Sequence, residues 1–453
     1  MVFIRKIKKK SGTYLAKVES YRQDGKIKQR VLQYLGKEID GKPARKITTA
    51  DIIVKNVKRS LDILAIDKIA EELKLKSIEN KYVLSLVYSH LLEKRSINKL
   101  EEWMRYTEIP EILGIDDVST KVLYESLGEA IEEDFEKINM NMQEVFNKYE
   151  KTSDAAVIDV TDTYFEGNSE DVKRRKGKDS KIRKLIQIGL ATSFKNGFPI
   201  FYRKYHGNLN GIHILRDMAL ELKNKNLKSI IIDRGMMSYE NLKLIESLEM
   251  EVIAGLRKNK TLIEDFISRI NREEIYTLNN RVVLKNTSVF INSFDYMGGR
   301  LIVVYNPSLE VVKKEINFQK GTNNNSDVGY SLIYHNTKYP DEEVVSKYYD
   351  KEIIERAFKH LKGVLNLRPI RVWLKNHQEG HVMICYLAYA LLSFMNYKLK
   401  RLKKSAIDAL GLLKHGYRIN LLDKKNNHEW SLLVQLTPKQ KEILGALGVV
   451  YKN

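Results

Sequence analysis

Apolar and polar residues alternate along the first part of the chain. The segments VFIRKIK, TYLAKVESYR and KIKQRVLQYLG follow a period of two over residues 2–35, with turn residues at Gly12 and at Asp24-Gly25. This pattern predicts a three-stranded antiparallel meander with basic faces. We therefore assign residues 1–46 to an N-terminal β-meander, which ends in a linker from Gly36 to Lys46.

A helical period replaces this alternation from about residue 50 to residue 150. The segments IVKNVKRSLDILAIDKIAEEL and YVLSLVYSHLLEKRSI carry apolar residues three and four positions apart, and Ser119 has the character of an N-cap. The sequence therefore predicts a helical region over residues 47–150.

Strands and helices alternate after residue 150. AAVIDVTDTYF, LIQIGLATS and FPIFYRKY predict three strands, and the apolar strand KSIIIDRGM follows, with a predicted helix on each side. A β-rich stretch at about 257–346 then precedes a helical C-terminal region over 376–453. The order predicts an α/β fold in which helices cover a central sheet. The apolar run 382–395 is short for a membrane span and predicts a buried helix.

The composition narrows the class of protein. The formal net charge of +20 favours a polyanionic partner, although a lysine-rich proteome would also explain it. Charge alone does not separate DNA from RNA or from an anionic membrane. The single cysteine, Cys385, excludes an internal disulfide and a Cys-rich zinc site, and it fits a reducing compartment such as the cytosol. The basic N-terminus lacks the apolar region of a signal peptide.

The segment YYDKEIIERAFKHLKG, residues 348–363, predicts one continuous helix. Tyr348, Glu355 and Lys362 recur at intervals of seven and would share a face, with Lys351 one turn before Glu355. Taken alone, this line is most simply explained as a solvated face with ordinary Lys–Glu pairing.

Two acidic residues elsewhere change that interpretation. Asp159 interrupts the apolar strand VIDV, and Asp233 ends the apolar strand III. A carboxylate on a buried strand is costly unless it is paired or binds a metal. Three carboxylates from two strands and a helix could hold two Mg²⁺ or Mn²⁺ ions, which activate a water or hydroxyl and stabilise the leaving oxygen of a phosphodiester. Asp162, three residues after Asp159, is an alternative first acid.

These residues resemble the DDE transposases of prokaryotic insertion sequences, in the group with a Tyr-x2-Arg-x3-Glu-x6-Lys signature. Tyr348, Lys351, Glu355 and Lys362 match that signature, with lysine in place of the usual arginine. VIDVTDTYFEG and IIIDRGMMSYENL resemble the segments of the first and second acids. The resemblance covers about residues 1–35 and 150–450, and it is weak over 50–150.

The resemblance implies an RNase H-like catalytic core over residues 151–375, with the β-rich insertion inside it and a DNA-binding role for residues 47–150. The implied activity is metal-dependent cleavage of double-stranded DNA at terminal inverted repeats, followed by transfer of the 3′-OH into target DNA. Asp159, Asp233 and Glu355 would hold two Mg²⁺ (or Mn²⁺) ions, and Tyr348, Lys351 and Lys362 would position phosphates. The resemblance also implies a homodimer in the synaptic complex and a cytoplasmic, nucleoid-associated protein without a membrane partner.

Other features leave alternatives open. The run KRRKGKDSKIRK begins with Lys173, Arg174, Arg175 and Lys176 and is either a DNA-facing loop or a solvated charged loop. His377 and His381 have metal-ligand spacing, but Gly380 and the lack of a third nearby ligand argue against zinc. Trp373 stacks on a displaced base or, as we favour, packs in the core. A domesticated DNA-binding protein without catalysis and a nuclease or resolvase on the same core remain rival functions.

Overall fold

A computed structural model describes residues 2–9, 11–39, 42–43, 51–93, 95–150, 155–165, 173–176, 182–285, 287–321, 327–367, 369–425 and 427–451. The chain divides into two compact units. The first comprises residues 1–58, 417–435 and 452–453, and the second comprises residues 59–416 and 436–451.

The first unit contains the predicted meander. Its strands are β1 (Val2–Lys9), β2 (Gly12–Gln23), β3 (Lys26–Ile39) and the short β4 (Lys42–Pro43), paired in that order. Asp24 and Gly25 both have positive φ, 52° and 73°, as a tight hairpin turn requires. The predicted three antiparallel strands are confirmed. The predicted linker from Gly36 to Lys46 is wrong at residues 36–39 and 42–43, because these pair as the end of β3 and as β4, and its residues 40–41 and 44–46 lie outside the described residues.

A second sheet in the same unit corrects two predictions. β5 (Ile52–Arg59), β16 (Tyr417–Asp423) and β17 (His428–Leu433) form it in the order β17-β16-β5. The helical prediction is wrong for residues 52–59, because they pair as a strand with β16 from the other end of the chain. The predicted helical C-terminal region also contains strands, since β16 and β17 form a hairpin within it.

The second unit holds a ten-stranded mixed sheet and the helices. Its strands are β6 (Ala155–Phe165), β7 (Lys173–Lys176), β8 (Ile182–Ser193), β9 (Pro199–His206), β10 (Ser229–Ile232), β11 (Glu251–Leu256), β12 (Arg281–Val283), β13 (Ser288–Tyr296), β14 (Gly299–Tyr305) and β15 (Tyr330–His335). The helices are α1 (Leu61–Glu72), α2 (Lys81–Leu92), α3 (Leu100–Arg105), α4 (Ile109–Leu113), α5 (Thr120–Glu129), α6 (Phe135–Tyr149), α7 (Gly211–Asn224), α8 (Tyr239–Ser247), α9 (Lys260–Leu262), α10 (Arg272–Ile275), α11 (Pro307–Gln319), α12 (Asp341–Tyr349), α13 (Glu352–Lys359), α14 (Lys375–Leu399), α15 (Ala406–Leu413) and α16 (Pro438–Leu447).

The sheet order explains how the predicted strands come together. The order is β12-β13-β14-β15-β11-β10-β6-β8-β7, and β9 also pairs with β8. β10 is parallel to both β6 and β11, and the remaining pairs are antiparallel. The predicted α/β fold with a central sheet is confirmed.

One face of this sheet is covered by α7 and α8. Apolar residues of both helices share a buried cluster with alternate residues of the central strands, among them Ile158, Ile230 and Ile232. Ser238 begins α8 as a true N-cap, since its hydroxyl accepts a hydrogen bond from the backbone of Asn241. Residues one position away from Ile158 and Ile232 therefore face the opposite side of the sheet.

The segment 257–346 extends the sheet. β15 pairs antiparallel with β11, and β14, β13 and β12 continue outward from it. A separate apolar cluster forms there around Leu301, Val303 and Leu332.

The long helix α14 forms the centre of the helical part of this unit. It packs against α1, α2, α5, α15 and α16 and also against β9. In the described part of the chain, one helical stretch, Lys375–Leu402, is long and apolar enough to cross a membrane, but 83% of its most apolar window is buried inside the protein. The prediction of a buried helix over residues 382–395 is confirmed.

Candidate active site

Two of the three predicted acids are neighbours in the central sheet. β6 and β10 are parallel, and Ile158 pairs with Ile232. Asp159 is the next residue of β6, and Asp233 directly follows the last residue of β10. We therefore infer that the two aspartates lie side by side on the face opposite α7 and α8. Both side chains are half-buried. Two adjacent carboxylates repel each other unless a cation lies between or beside them.

Asp162 lies on the other face of the same strand. It follows Asp159 by three positions, and side chains of a strand alternate between faces, so an odd offset places the two on opposite faces. Its partner on β8 is Gln187, whose side-chain amide donates to the Asp162 carboxylate over 3.4 Å. Asp162 therefore does not share a surface with Asp233.

The segment that carries the third acid lies over the Asp159 face. α13 packs against β6. Thr163, on the same face as Asp159, donates from its hydroxyl to the carbonyl of Leu367 over 3.0 Å. The hydroxyl of Thr161, also on this face, is buried and has no hydrogen-bond partner among the described residues.

The prediction of one helix over residues 348–363 is wrong. α12 ends at Tyr349, Asp350 and Lys351 form a turn, and α13 begins at Glu352. After α13, residues His360–Val364 form a π-helical turn in which the amide of Leu365 donates to the carbonyl of His360 over 2.9 Å. No glycine or proline interrupts residues 348–359, so tertiary contacts rather than local propensity account for the break.

The break places Lys351 against the second acid. The Lys351 ammonium lies 2.6 Å from Oδ1 of Asp233, and the Lys351 side chain is only 17% exposed. Burial raises the pKa of Asp233, but the hydrogen bond and charge of Lys351 outweigh this effect and hold the pKa below its ordinary value. Lys351 thus pairs with Asp233 and not with Glu355, contrary to the pairing expected within one continuous helix.

Tyr348 completes the contact with Asp233. Its hydroxyl donates to Oδ1 of Asp233 over 3.2 Å, and the Lys351 ammonium lies 4.0 Å from the centre of the Tyr348 ring. The phenol passes directly over Gly255 of β11, where a Cβ atom would overlap the hydroxyl. No local pattern signals this requirement, because Gly255 lies inside an ordinary strand sequence.

Glu355 and Lys362 occupy different positions on the broken helix. Glu355 is exposed, and among the described residues none forms a hydrogen bond or ion pair with it. It follows Lys351 by one helical turn, a rise of roughly 6 Å. Lys362 lies in the π-helical turn, with its ammonium 5.4 Å from the centre of the Phe358 ring. The structure therefore brings Tyr348 and Lys351 to Asp233, and Asp159 lies on the neighbouring strand. The carboxylates of Asp159, Asp233 and Glu355 do not all lie within 4.8 Å of one another.

The basic run beyond β6 is only partly a loop. Lys173, Arg174, Arg175 and Lys176 form β7, which pairs with the first residues of β8 at the edge of the sheet. The Arg174 side chain is exposed. Residues 177–181 lie outside the described residues.

Three further candidate side chains lie outside this group. Trp373 is 71% exposed, so the favoured prediction that it packs in the core is wrong. The His377 ring stacks on Tyr124, with ring centres 6.0 Å apart. His381 instead approaches His90 and Cys385, so two possible ligands that sequence spacing did not reveal lie beside it.

This arrangement is suited to binding divalent cations. Asp159 and Asp233 offer adjacent carboxylates, a buried hydroxyl near them lacks a partner among the described residues, and a lysine ammonium already neutralises Asp233. Carboxylate oxygens are the ligands that Mg²⁺ and Mn²⁺ prefer. The residues present therefore fit a divalent metal site.

Family comparison identifies the class of protein. Residues 150–391, more than half of the chain, match the family described as "Transposase DDE domain". Residues 4–74 match the family "IS1634 family transposase, N-terminal domain". The chain belongs to the DDE-domain transposases. It is an insertion-sequence transposase, an enzyme that cleaves DNA and transfers strands, and members of this family generally depend on divalent metal ions.

Comparison with solved structures and curated proteins adds little to this assignment. A piggyBac transposase, solved by cryo-EM as a synaptic complex with hairpin DNA, resembles the chain with a TM-score of 0.41 and 13% identity, over 78% of this chain and 76% of that chain. No curated protein sequence matches the chain significantly.

Proposed function

We propose that Asp159, Asp233 and Glu355 together hold two divalent ions, Mg²⁺ or Mn²⁺, and form the catalytic site of this transposase. The observation that carries the proposal is the pairing of Ile158 with Ile232, which sets Asp159 beside Asp233 on one face. Lys351, one turn from Glu355, reaches Asp233 and supports the inclusion of Glu355. When bound, the ions supply Lewis-acid activation of the attacking oxygen and stabilisation of the leaving oxygen.

The DNA substrate is the pair of terminal inverted repeats of the protein's own element, followed by target DNA. Tyr348, Lys351 and Lys362 bind phosphates beside the scissile bond, and Lys173, Arg174, Arg175 and Lys176 bind the backbone further away. Lys351 pairs with Asp233 in the metal-free protein, and it would be free to pair with a DNA phosphate if an ion occupied that carboxylate. The meander and the helices before residue 150 recognise the repeats. The net charge of +20 supports a large contribution of phosphate contacts to the free energy of DNA binding, and this contribution depends on salt concentration.

The finer assignments follow from this activity. The strands β9-β8-β6-β10-β11 are assigned as an RNase H-like core, and β12 to β15 as its insertion. Two element ends require two active sites at once, so a homodimer forms the synaptic complex. The protein acts in the cytoplasm on nucleoid DNA.

The test uses a plasmid that carries this gene with its native flanking DNA, purified protein, and Mg²⁺ or Mn²⁺. Asp159→Asn, Asp233→Asn and Glu355→Gln should each abolish cleavage at the element's ends while DNA binding is retained. Two matched controls should cleave normally. Glu352→Gln removes an exposed acid from the same helix, and Asp162→Asn removes the acid on the opposite face of β6.

Each alternative outcome has a defined meaning. Unchanged cleavage by Glu355→Gln would show that Glu355 is not a catalytic metal ligand. Loss of cleavage in Asp162→Asn, with normal cleavage in Asp159→Asn, would show that the first acid is Asp162 and not Asp159. Cleavage without strand-transfer products would indicate a nuclease or resolvase. Binding without cleavage by the wild type would indicate a domesticated DNA-binding protein.

A further inference from the structure

A second group of possible metal ligands lies away from the acidic site, among the helices. His90 is near the end of α2, and His381 and Cys385 are one turn apart on α14. The Cys385 sulfur lies 3.3 Å from Nε2 of His90 and 3.7 Å from Nε2 of His381. The three ligand atoms all lie within 4.8 Å of one another.

These separations fit a tetrahedral zinc ion. With Zn–S near 2.3 Å and Zn–N near 2.0–2.1 Å, a tetrahedral angle places sulfur and nitrogen roughly 3.6 Å apart. The two measured sulfur–nitrogen separations fall on either side of this value. The rings are nearly perpendicular, at 77°, with centres 5.2 Å apart, so both can direct a nitrogen toward one point without stacking.

The donor groups are in a state that suits a metal. Burial lowers the pKa of His90 to about 3 and that of His381 to about 4, so both imidazoles are neutral and keep a free lone pair at neutral pH. Hydrogen bonding to the backbone of Leu365 opposes the lowering of the His90 pKa, and hydrogen bonding to Asn366 and Leu367 opposes that of His381. Histidine ligands are typically oriented by hydrogen bonds to backbone groups.

Cys385 supplies the third donor, and deprotonation of its buried thiol is the main free-energy cost of metal binding. Burial raises the pKa of its thiol, because a buried thiolate loses its hydration. A bound zinc ion would supply a stabilising positive charge, and a coordinated thiol loses its proton. Without metal, the thiol lies 3.4 Å from the carbonyl of Leu365, which accepts a weak hydrogen bond from it.

A cavity leaves room for a fourth ligand. It has a volume of about 250 Å³, and both histidines line it together with Arg95, Tyr124 and Arg371. Three protein ligands with an open position next to a cavity are typical of zinc sites that bind a water or a small ligand. Among the described residues, His90, His381 and Cys385 are the three metal-ligating side chains whose ligand atoms all lie within 4.8 Å of one another.

We propose that His90, His381 and Cys385 bind one zinc ion, with a water molecule from the cavity as the fourth ligand. The imidazole and thiolate donors select zinc, whereas the carboxylates of the catalytic site select Mg²⁺ or Mn²⁺, so the two sites are chemically separate. The ion ties α2 to α14. It also fixes residues 365–367, which directly follow the π-helical turn that carries Lys362.

The test is made on the full chain, purified through a tag without histidine. Zinc content is measured by mass spectrometry, and the zinc-free protein is titrated with Co²⁺. Cys385 is the chain's single cysteine, so a thiolate-to-cobalt charge-transfer band can come only from Cys385. The spectrum of the wild type is therefore sufficient to identify it as a ligand. We expect about one zinc per chain, that band, and the strong visible absorption of tetrahedral cobalt.

Variants locate the histidine ligands. His90→Ala and His381→Ala should each lower Co²⁺ affinity at least tenfold, whereas His377→Ala, one turn before His381 on the same helix, should leave it unchanged. Glu355→Gln should also leave the band unchanged, which separates this site from the catalytic one. Wild-type protein that lacks both zinc and the charge-transfer band would overturn the proposal and leave a hydrogen-bonded core cluster. Equal Co²⁺ affinity in His90→Ala, His381→Ala and His377→Ala would also overturn it.

Discussion

Replacing Lys351 with methionine should strengthen metal binding at the proposed catalytic site. The Lys351 ammonium lies 2.6 Å from Asp233 and must leave this carboxylate before a divalent ion can use the same oxygen. The Lys351 side chain is 17% exposed and that of Asp233 is 49% exposed, so the pair lies between the surface and buried cases. Such a pair is worth about 1–2 kcal/mol. Losing that competitor should raise Mn²⁺ affinity by about 5- to 30-fold.

Free Mn²⁺ can be followed by electron paramagnetic resonance during a titration of each variant. Lys347→Met is the matched control, since it removes a nearby positive charge that pairs with Glu343 over 3.3 Å and not with Asp233. Asp233→Asn should weaken Mn²⁺ binding and thereby assign the titrated site. Unchanged or weaker Mn²⁺ binding in Lys351→Met would refute the idea that the Lys351 ammonium competes with a metal ion for Asp233. An equal gain in Mn²⁺ affinity in Lys347→Met would refute it as well.

Three other measurements have defined expected outcomes. Lys351→Met should lower the free energy of unfolding by about 1 kcal/mol near neutral pH. The deficit should shrink in acid-denaturation series as the pH falls below the ordinary Asp233 value of 3.8, because the pKa of Asp233 is lowered in the folded protein and its stabilisation is lost on protonation. Gly255→Ala should destabilise by about 1–3 kcal/mol in urea unfolding through overlap with Tyr348, whereas Gly411→Ala, with open space around it, should not. Changing residues 173–176 to glutamine should flatten the salt dependence of DNA binding by about one unit of slope for each phosphate that the variant no longer binds, and an unchanged slope would exclude β7 from the interface.

Local sequence patterns are sufficient to predict the central strands and to identify two of the three acids as candidate site residues. The runs around Asp159 and Asp233 are short, apolar and each contain one carboxylate, and such a residue stands out because burying it unpaired is costly. Parallel pairing of the two strands then sets the aspartates side by side. The N-terminal meander can also be predicted from the sequence, because period-two alternation and an Asp-Gly turn determine the strands and the hairpin within a few residues.

Features that depend on distant contacts cannot be predicted in this way. Residues 348–359 have no helix breaker, yet the helix is interrupted where Lys351 and Tyr348 contact Asp233, more than a hundred positions earlier in the chain. The pattern predicts a helix for β5 because its apolar residues continue the period of α1, and its partner β16 lies near the other end of the chain. His90 and Cys385 likewise meet only because α2 packs on α14.

The contact between Lys351 and Asp233 also gives a physical reason for a cation at this position in the family signature. Asp159 and Asp233 lie side by side, and two carboxylates in such positions favour protonation of one of them. Lys351 opposes that tendency, since it holds the pKa of Asp233 low and keeps the carboxylate ionised and ready for metal. An arginine fork would bind both oxygens of one carboxylate, whereas an ammonium is a point charge that touches Oδ1 while lying against the Tyr348 ring. Lysine therefore preserves the charge that the site requires while leaving one oxygen of Asp233 outside the pair.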